Sequence, residues 1–257
     1  MEQPRWEGPP ARRLDVLAVA AHRDDVEQTC GGALLRMAQQ GAACGILDLT
    51  RGEAGTRGTA EQRGREAARA AQLLQISWRA NLALPDGQLV PSLAARHRIA
   101  AVIRATQPRV LIVPYPSARH PDHAIAGRLG MDAAFAAGLR NLDLAGAPAF
   151  RPQTVLCASL YANRRPSLVV DISEQFPARL QALQAYVSQY ADQPAGADIF
   201  PAAGDVAARV EALARSYGMM VGVRYGEPFI SPTPIRVGDL RSLEVDTFTQ
   251  GGIITPY

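Results

Sequence analysis

The sequence predicts a Rossmann-like α/β fold: a three-layer sandwich around a mostly parallel, twisted sheet, built as a single domain. Three observations carry this expectation. From Leu14 to about Tyr115, short apolar runs alternate with longer stretches of helical periodicity, the pattern of βαβ units. Two of the apolar runs stop at clusters of His and Asp, where strands of such a sheet present their carboxyl ends. No repeat, low-complexity linker or shift in composition divides the 257 residues, a length that one large α/β domain fills.

Taken in order, a first strand reads DVLAVAA, and a helix follows from about Thr29 to Gln40, with Gly41 as its C-cap. The second strand, ACGILDLT, runs into the glycine-rich loop RGEAGTRGT. The good helix former AEQRGREAARAAQLLQ comes next, and the third strand lies around ANLAL, ended by the turn PDG. A helix from about Ser92 to Thr106 leads past Pro108 into the fourth strand, RVLIVPY. Beyond it lie a small-residue helix from about Ala124 to Leu139, the apolar run TVLCASLY, and a further strand, SLVVDI. Helices are expected around Gln175 to Tyr190 and from about Gly204 to Tyr217, and an irregular, proline-rich tail from Pro228 onward. Residues 1–13 read as an extension before a domain spanning 14–257.

Composition removes several classes of function. Hydrophobic residues make up 47% and no apolar run approaches the roughly 18 residues that span a bilayer, so no membrane partner is expected. The start, MEQPRWEGPPARR, has no apolar stretch of the kind a signal peptide needs. Cys30, Cys44 and Cys157 are scattered and form no C-x-x-C pair, which predicts a reducing, cytoplasmic location without a disulfide framework. Every basic residue is arginine, so Schiff-base catalysis and the Walker lysine are excluded. The net charge is +3 with acids interspersed among the arginines, and no nucleic-acid partner is expected. Gly31-Gly32 does not complete G-x-G-x-x-G, and no G-x-S-x-G is present, which argues against a dinucleotide cofactor and a serine nucleophile.

The chemistry concentrates in AHRDD and RHPDH, which hold three of the four histidines. In a sheet of order 3-2-1-4-5, strands one and four are neighbours, and the loops at their carboxyl ends flank the crevice where ligands bind. Topology alone thus brings His22, Asp24 and Asp25 toward His120, Asp122 and His123. Two imidazoles and a carboxylate leave a coordination position open, as catalytic zinc sites do. The H-x-x-D spacing lets His22 and Asp25 reach one metal from a single turn, and His123 can close the set. Asp24 is then left over as a general base, and His120 with Asp122 as a proton donor or oxyanion stabiliser. The constellation reads as metal-assisted hydrolysis of an amide or ester. Taken singly, each cluster has a plainer reading, as packing histidines and N-cap aspartates. His97, in a predicted helix among arginines, reads as a surface residue.

AHRDDVE and HPDH resemble the paired motifs of the LmbE/PIG-L family of zinc-dependent N-acetylglucosaminide deacetylases. LDLTRGEAGTRGT, RGREAARAAQLL, NLALPDG, VVDIS, AYVSQY and GVRYGEPF extend the resemblance from Leu14 to Phe229, toward the branch that deacetylates N-acetylglucosaminyl-malate in bacillithiol biosynthesis. The resemblance implies one Zn2+ per subunit on His22, Asp25 and His123, Asp24 as general base, and His120 with Asp122 as a polarised pair. It also implies substrate contacts from Arg63 and Tyr225, and a homo-oligomer, trimeric or hexameric. Arg57 or Arg51 with Arg63 would suit the two carboxylates of malate, because guanidinium forks match carboxylates bidentately; ordinary surface charge is the competing reading for the loop arginines. Other N-acetyl sugar conjugates (an inositol conjugate, a chitooligosaccharide, a glycopeptide) and a non-catalytic metal or sugar-binding protein are the alternatives. The family usually has proline where this chain has Arg23, which removes a φ constraint and puts a cation either next to the site or into solvent.

Overall fold

A computed structural model of the chain describes residues 8–144, 146–158, 165–191 and 202–239. Strands β1 (Val16–Ala20), β2 (Cys44–Thr50), β3 (Trp78–Leu84), β4 (Val110–Pro114), β5 (Thr154–Ala158), β6 (Leu168–Asp171) and β7 (Gly226–Ile230) form one sheet in the order β3-β2-β1-β4-β5-β7-β6. Pairing is parallel from β3 through β5, while β7 runs antiparallel to both β5 and β6. Val16 stands opposite Cys44 on one side and Val110 on the other, so β1 and β4 are adjacent at the switch point.

Helices α1 (Asp25–Thr29), α2 (Gly31–Gln39), α3 (Ala60–Leu73), α4 (Leu93–Thr106), α5 (Pro121–Ala137), α6 (Phe176–Gln184), α7 (Val187–Tyr190) and α8 (Ala203–Met219) cover both faces. Alternation along β1 sorts its side chains: Leu17 and Val19 enter the core beneath α4 and α5, with Ile99, Ile103 and Leu129. Val16, Ala18 and Ala20 enter the opposite core with Leu34, Phe176 and Val210. Thr59 and Ser92 cap α3 and α4, accepting from Gln62 N–H at 3.1 Å and Ala95 N–H at 3.2 Å. Gly41 closes α2 at φ +89°, as its position after the last helical turn predicts.

Four expectations change. The chain is helical from Asp25 rather than Thr29, interrupted at Cys30. Helix α5 begins at Pro121 instead of Ala124, because proline at the first helical position loses no hydrogen bond, so RHPDH straddles a helix start. The single helix expected over Gln175 to Tyr190 divides into α6 and α7 at Ala185-Tyr186. The tail contributes β7, which the proline had concealed; Pro228 pairs only with Val169 of β6, because the pairing with β5 is confined to Phe229 and Ile230. Of the apolar run TVLCASLY, residues 159–161 lie outside the described residues.

Candidate metal centre and active site

Strand β1 delivers His22 to the switch point. Thr50 at the end of β2 pins the preceding carbonyl of Ala21 through both its N–H and its Oγ1, each at 3.0 Å. The Asp25 carboxylate accepts from the backbone N–H of His22 at 2.9 Å, which folds the loop so that both side chains face one point. The Arg23 carbonyl between them accepts from Arg79 Nη2 and from the Tyr186 hydroxyl. Arg79, on β3, is itself held by Asp48 at 2.9 Å and Glu27 at 2.8 Å. A buried ionic network therefore supports the loop from below.

The Arg23 side chain donates to the carbonyl of Ala60 and lies across α3 at Gly64, whose missing Cβ leaves the space. It is half-buried along that helix. Burial pulls its pKa below the ordinary guanidinium value.

His22 Nδ1 lies 3.1 Å from His123 Nε2, which lies 3.1 Å from Asp25 Oδ1, and His22 Nδ1 is 3.6 Å from Asp25 Oδ2. Ligand atoms held at zinc distances in a tetrahedron stand about 3.3 Å apart. These spacings are of the order that donors to one divalent cation show, with Asp25 turning Oδ1 toward His123 and Oδ2 toward His22, and ring nitrogens of His22, His120 and His123 also lie within 4.8 Å of one another. On the other ring nitrogen of His22, Asp86 Oδ1 stands at 3.1 Å and Asp122 Oδ2 at 3.6 Å. This second acidic group could hold a cation by proximity. Its carboxylates, however, already accept from Ala54 N–H at 2.9 Å, Gly87 N–H at 2.8 Å and Leu89 N–H at 3.3 Å. We read it as the acceptor of the His22 Nε2 proton, which leaves Nδ1 free for a metal. Burial opposes charge on His22, yet Asp25, Asp122 and Asp86 outweigh it and push its pKa up to about 12. The pKa of His123 is likewise raised, against burial, by Asp25.

Asp24 sits beside this triad with Oδ1 on Arg63 Nη2 at 2.9 Å. Its other oxygen accepts from the Tyr190 hydroxyl and from Gln28 Nε2 at 3.3 Å. His120 caps α5, its Nδ1 accepting from the Asp122 N–H at 3.2 Å, and its ring centroid stands 4.8 Å from that of His22 and 5.0 Å from that of His123. The expected polarised pair is not made: the Asp122 carboxylate faces the N–H groups of Gly87 and Leu89 and the ring of His22. Burial and the neighbouring His22 and His123 lower the pKa of His120, so its neutral form is favoured, with the proton on Nε2.

The structure buries the three residues expected to contact substrate, Arg57, Arg63 and Tyr225. Arg57 is buried, not a surface charge, and donates to the carbonyl of Gln189 at 3.2 Å. Arg63 is buried against Asp24 and also donates to the carbonyl of Gly52 at 3.2 Å, while Arg51 is exposed. Both guanidiniums are thus engaged by carbonyls of the chain itself, and Arg63 by Asp24 as well. Tyr225 donates to Glu211 at 2.8 Å and stacks on Phe176 at 4.0 Å. Two residues escaped the sequence reading, Asp86 and Tyr190. Asp86 was signalled by PDG at the carboxyl end of β3, the same sheet edge as the other clusters; Tyr190 lay in AYVSQY, a stretch that carried the family resemblance without a role for its tyrosine. A cavity of about 20 Å³ opens beside Asp25 and His123, walled by Val26, Ile112, Pro114 and Ala158. Gly31-Gly32 opens α2, where Glu227 accepts from Gly32 N–H at 2.8 Å and Ala33 N–H at 2.6 Å, so an internal carboxylate takes these helix N-terminal donors.

A doubly wound sheet with two imidazoles, a carboxylate and a further carboxylate at its switch point is the architecture of a metal-dependent hydrolase. Residues 17–134 match the family model PIG-L, described as GlcNAc-PI de-N-acetylase. The chain belongs to the PIG-L/LmbE family, whose members are metal-dependent N-deacetylases. It is 39% identical to the conserved protein TT1542 of Thermus thermophilus, with a TM-score of 0.80, covering 87% of this chain and 97% of that one. It is 29% identical to the diacetylchitobiose deacetylase of Thermococcus kodakarensis over 82% of this chain and 80% of that protein. The N,N'-diacetylchitobiose deacetylase of Pyrococcus horikoshii is 27% identical, with a TM-score of 0.74, over 83% of this chain and 82% of that one. Among the described residues, no helix is long and apolar enough to cross a membrane.

Proposed function

We propose that this protein hydrolyses the N-acetyl group of an N-acetylglucosaminide, releasing acetate and a glucosamine amine, with zinc held by His22, Asp25 and His123. The observation that carries the reading is the spacing of those three donor groups, with Asp24 left over beside them. Two imidazoles and one carboxylate suit zinc and leave a position open. Zinc so held supplies Lewis acidity toward a carbonyl oxygen and toward a water.

The chain's own groups do the rest. Asp24 accepts a proton from the water whose oxygen attacks the acetamide carbon. His120, a donor through Nε2–H, hydrogen-bonds the carbonyl oxygen as negative charge grows on it. The C–N bond breaks as the proton taken by Asp24 passes to the departing nitrogen. The cavity walled by Val26, Ile112 and Ala158 has room for one methyl group, since a single water needs about 10–15 Å³ by the same measure.

For the aglycone, the extended motifs favour malate, as in bacillithiol biosynthesis. The diacetylchitobiose deacetylases among the relatives favour a second sugar instead, and the internal engagement of Arg57 and Arg63 removes one support for malate. We further propose a reducing, cytoplasmic location, supported by three free, buried cysteines, and a trimeric or hexameric assembly, to be read by native mass measurement. The deciding experiment measures acetate and primary amine released by zinc-loaded protein from N-acetylglucosaminyl-malate, diacetylchitobiose and N-acetylglucosaminyl-inositol. Turnover of one conjugate well above the others assigns the substrate; no release from any of them refutes the deacetylase reading. Asp24→Asn is expected to lower kcat by at least about 10²-fold with zinc retained. Full turnover in that variant would remove Asp24 from its role, and an inert wild type that still holds zinc would favour a binding protein.

A further inference from the structure

We propose that Tyr190 is a positioning residue for Asp24, and that α7 is the strap that holds it in place; the proposal rests on Asp24 being the proton acceptor. A carboxylate offers about four lone-pair sites. Three are taken at Asp24: Arg63 Nη2 on Oδ1 at 2.9 Å, and Gln28 Nε2 at 3.3 Å with the Tyr190 hydroxyl on Oδ2. One direction is left for a water. Its bearing is fixed only if the carboxylate cannot turn about its Cβ–Cγ bond, and a donor on each oxygen prevents that turn. Arg63 grips one oxygen and Tyr190 the other.

The neighbours of Tyr190 show how its hydroxyl is placed. Glu66 accepts from Ser188 through the backbone N–H at 2.8 Å and through the hydroxyl at 2.6 Å, and Ser188 is fully buried. Glu66 follows Arg63 by three residues, so both project from one face of α3. The two grips on Asp24 are therefore anchored to the same helix. Gln189 donates to the Arg57 carbonyl at 2.6 Å and accepts from the Arg57 guanidinium at 3.2 Å, tying α7 to the glycine-rich loop. Close approach of that loop requires Gly58, at φ +71°, since a Cβ there would stand 2.6 Å from Ser188 Oγ. Three consecutive residues thus fasten α7 to the helix of Arg63, to the glycine-rich loop and to Asp24. This gives buried Arg57 a supporting role in place of substrate contact.

The test is Tyr190→Phe in the full chain, which removes the hydroxyl and keeps the ring. With zinc-loaded protein and the N-acetyl sugar that the wild type turns over, kcat is expected to fall about tenfold with KM and zinc content unchanged. Unchanged kcat overturns the proposal. A rise in KM at constant kcat also overturns it, in favour of direct substrate contact. Metal-free protein supplies a readout that needs no turnover: a thermal-unfolding cycle of Tyr190→Phe against Asp24→Ala. Non-additive shifts in midpoint support the grip, and additive shifts overturn it. Should the wild type hydrolyse no sugar amide, the deacetylase reading falls while this cycle still decides whether Tyr190 holds Asp24.

Discussion

Replacing Glu227 with alanine should destabilise the whole domain while leaving every site residue in the sequence. The carboxylate is 1% exposed and is shared by two partners: the first N–H groups of α2, and Arg179, whose Nε lies 2.9 Å away. Removing one member of a buried ion pair costs about 3–5 kcal/mol, because the other is left without its counter-charge. Loss of a helix cap adds about 1 kcal/mol. Arg179 keeps the carbonyls of Glu27 and Gln28 as acceptors, which places the ionic part at the low end. A total of about 4 kcal/mol corresponds, for a chain of this length, to a fall in Tm of about 8 °C. Thermal denaturation followed by far-UV circular dichroism measures it. Glu227→Ala with Arg179→Met should recover at least half the loss, since the stranded charge is then gone. A fall in Tm below about 2 °C, or a double variant less stable than the single one, would refute the view that Glu227 secures α2 as an internal anion.

Two further outcomes concern the metal. Asp86→Ala is expected to weaken zinc binding about 10–100-fold in a chelator competition, because the Nε2–H of His22 loses its acceptor at 3.1 Å; Asp122, at 3.6 Å, limits the loss. Unchanged affinity would remove Asp86 from the support of His22. In the metal-free protein the pKa of His22 is pushed up to about 12 and that of His123 is also raised, so the facing nitrogens His22 Nδ1 and His123 Nε2, 3.1 Å apart, share a proton that a metal must displace. Zinc binding should release at least about one proton near pH 6 and strengthen as pH rises. Calorimetry in buffers of different ionisation enthalpy reads the number, and a release near zero would contradict the ligand assignment.

Much of the fold was legible because it rests on local patterns. The βαβ rhythm, the caps at Thr59 and Ser92 and the turn at PDG each follow from neighbours within a few residues. The sequence pattern also placed His22 and His123 at one edge of the sheet, since parallel topology leaves few ways to order strands one and four. Less legible were the elements that act against their local signal. Pro228 argued for irregular tail, yet β7 pairs on both sides and carries Glu227 into the core. The periodicity from Gln175 to Tyr190 argued for one helix, yet the break at Tyr186 aims one tyrosine at the Arg23 carbonyl and the next at Asp24.

By itself, the sequence determined the α/β class, the six residues of the two clusters and the kind of chemistry they support, because residue type and strand-end position suffice for those. Only the tertiary structure decided which atom faces which. It gave Asp86 and Asp122 to one nitrogen of His22 and turned the other toward His123 and Asp25, separated His120 from the Asp122 carboxylate, and turned Arg57 and Tyr225 inward. It also brought Tyr190 to Asp24. The physical reason is that side-chain partnership depends on distances of a few tenths of an ångström between segments remote in the chain. Local propensity carries no information at that scale, and the packing of α3, α6 and α7 around the switch point sets it.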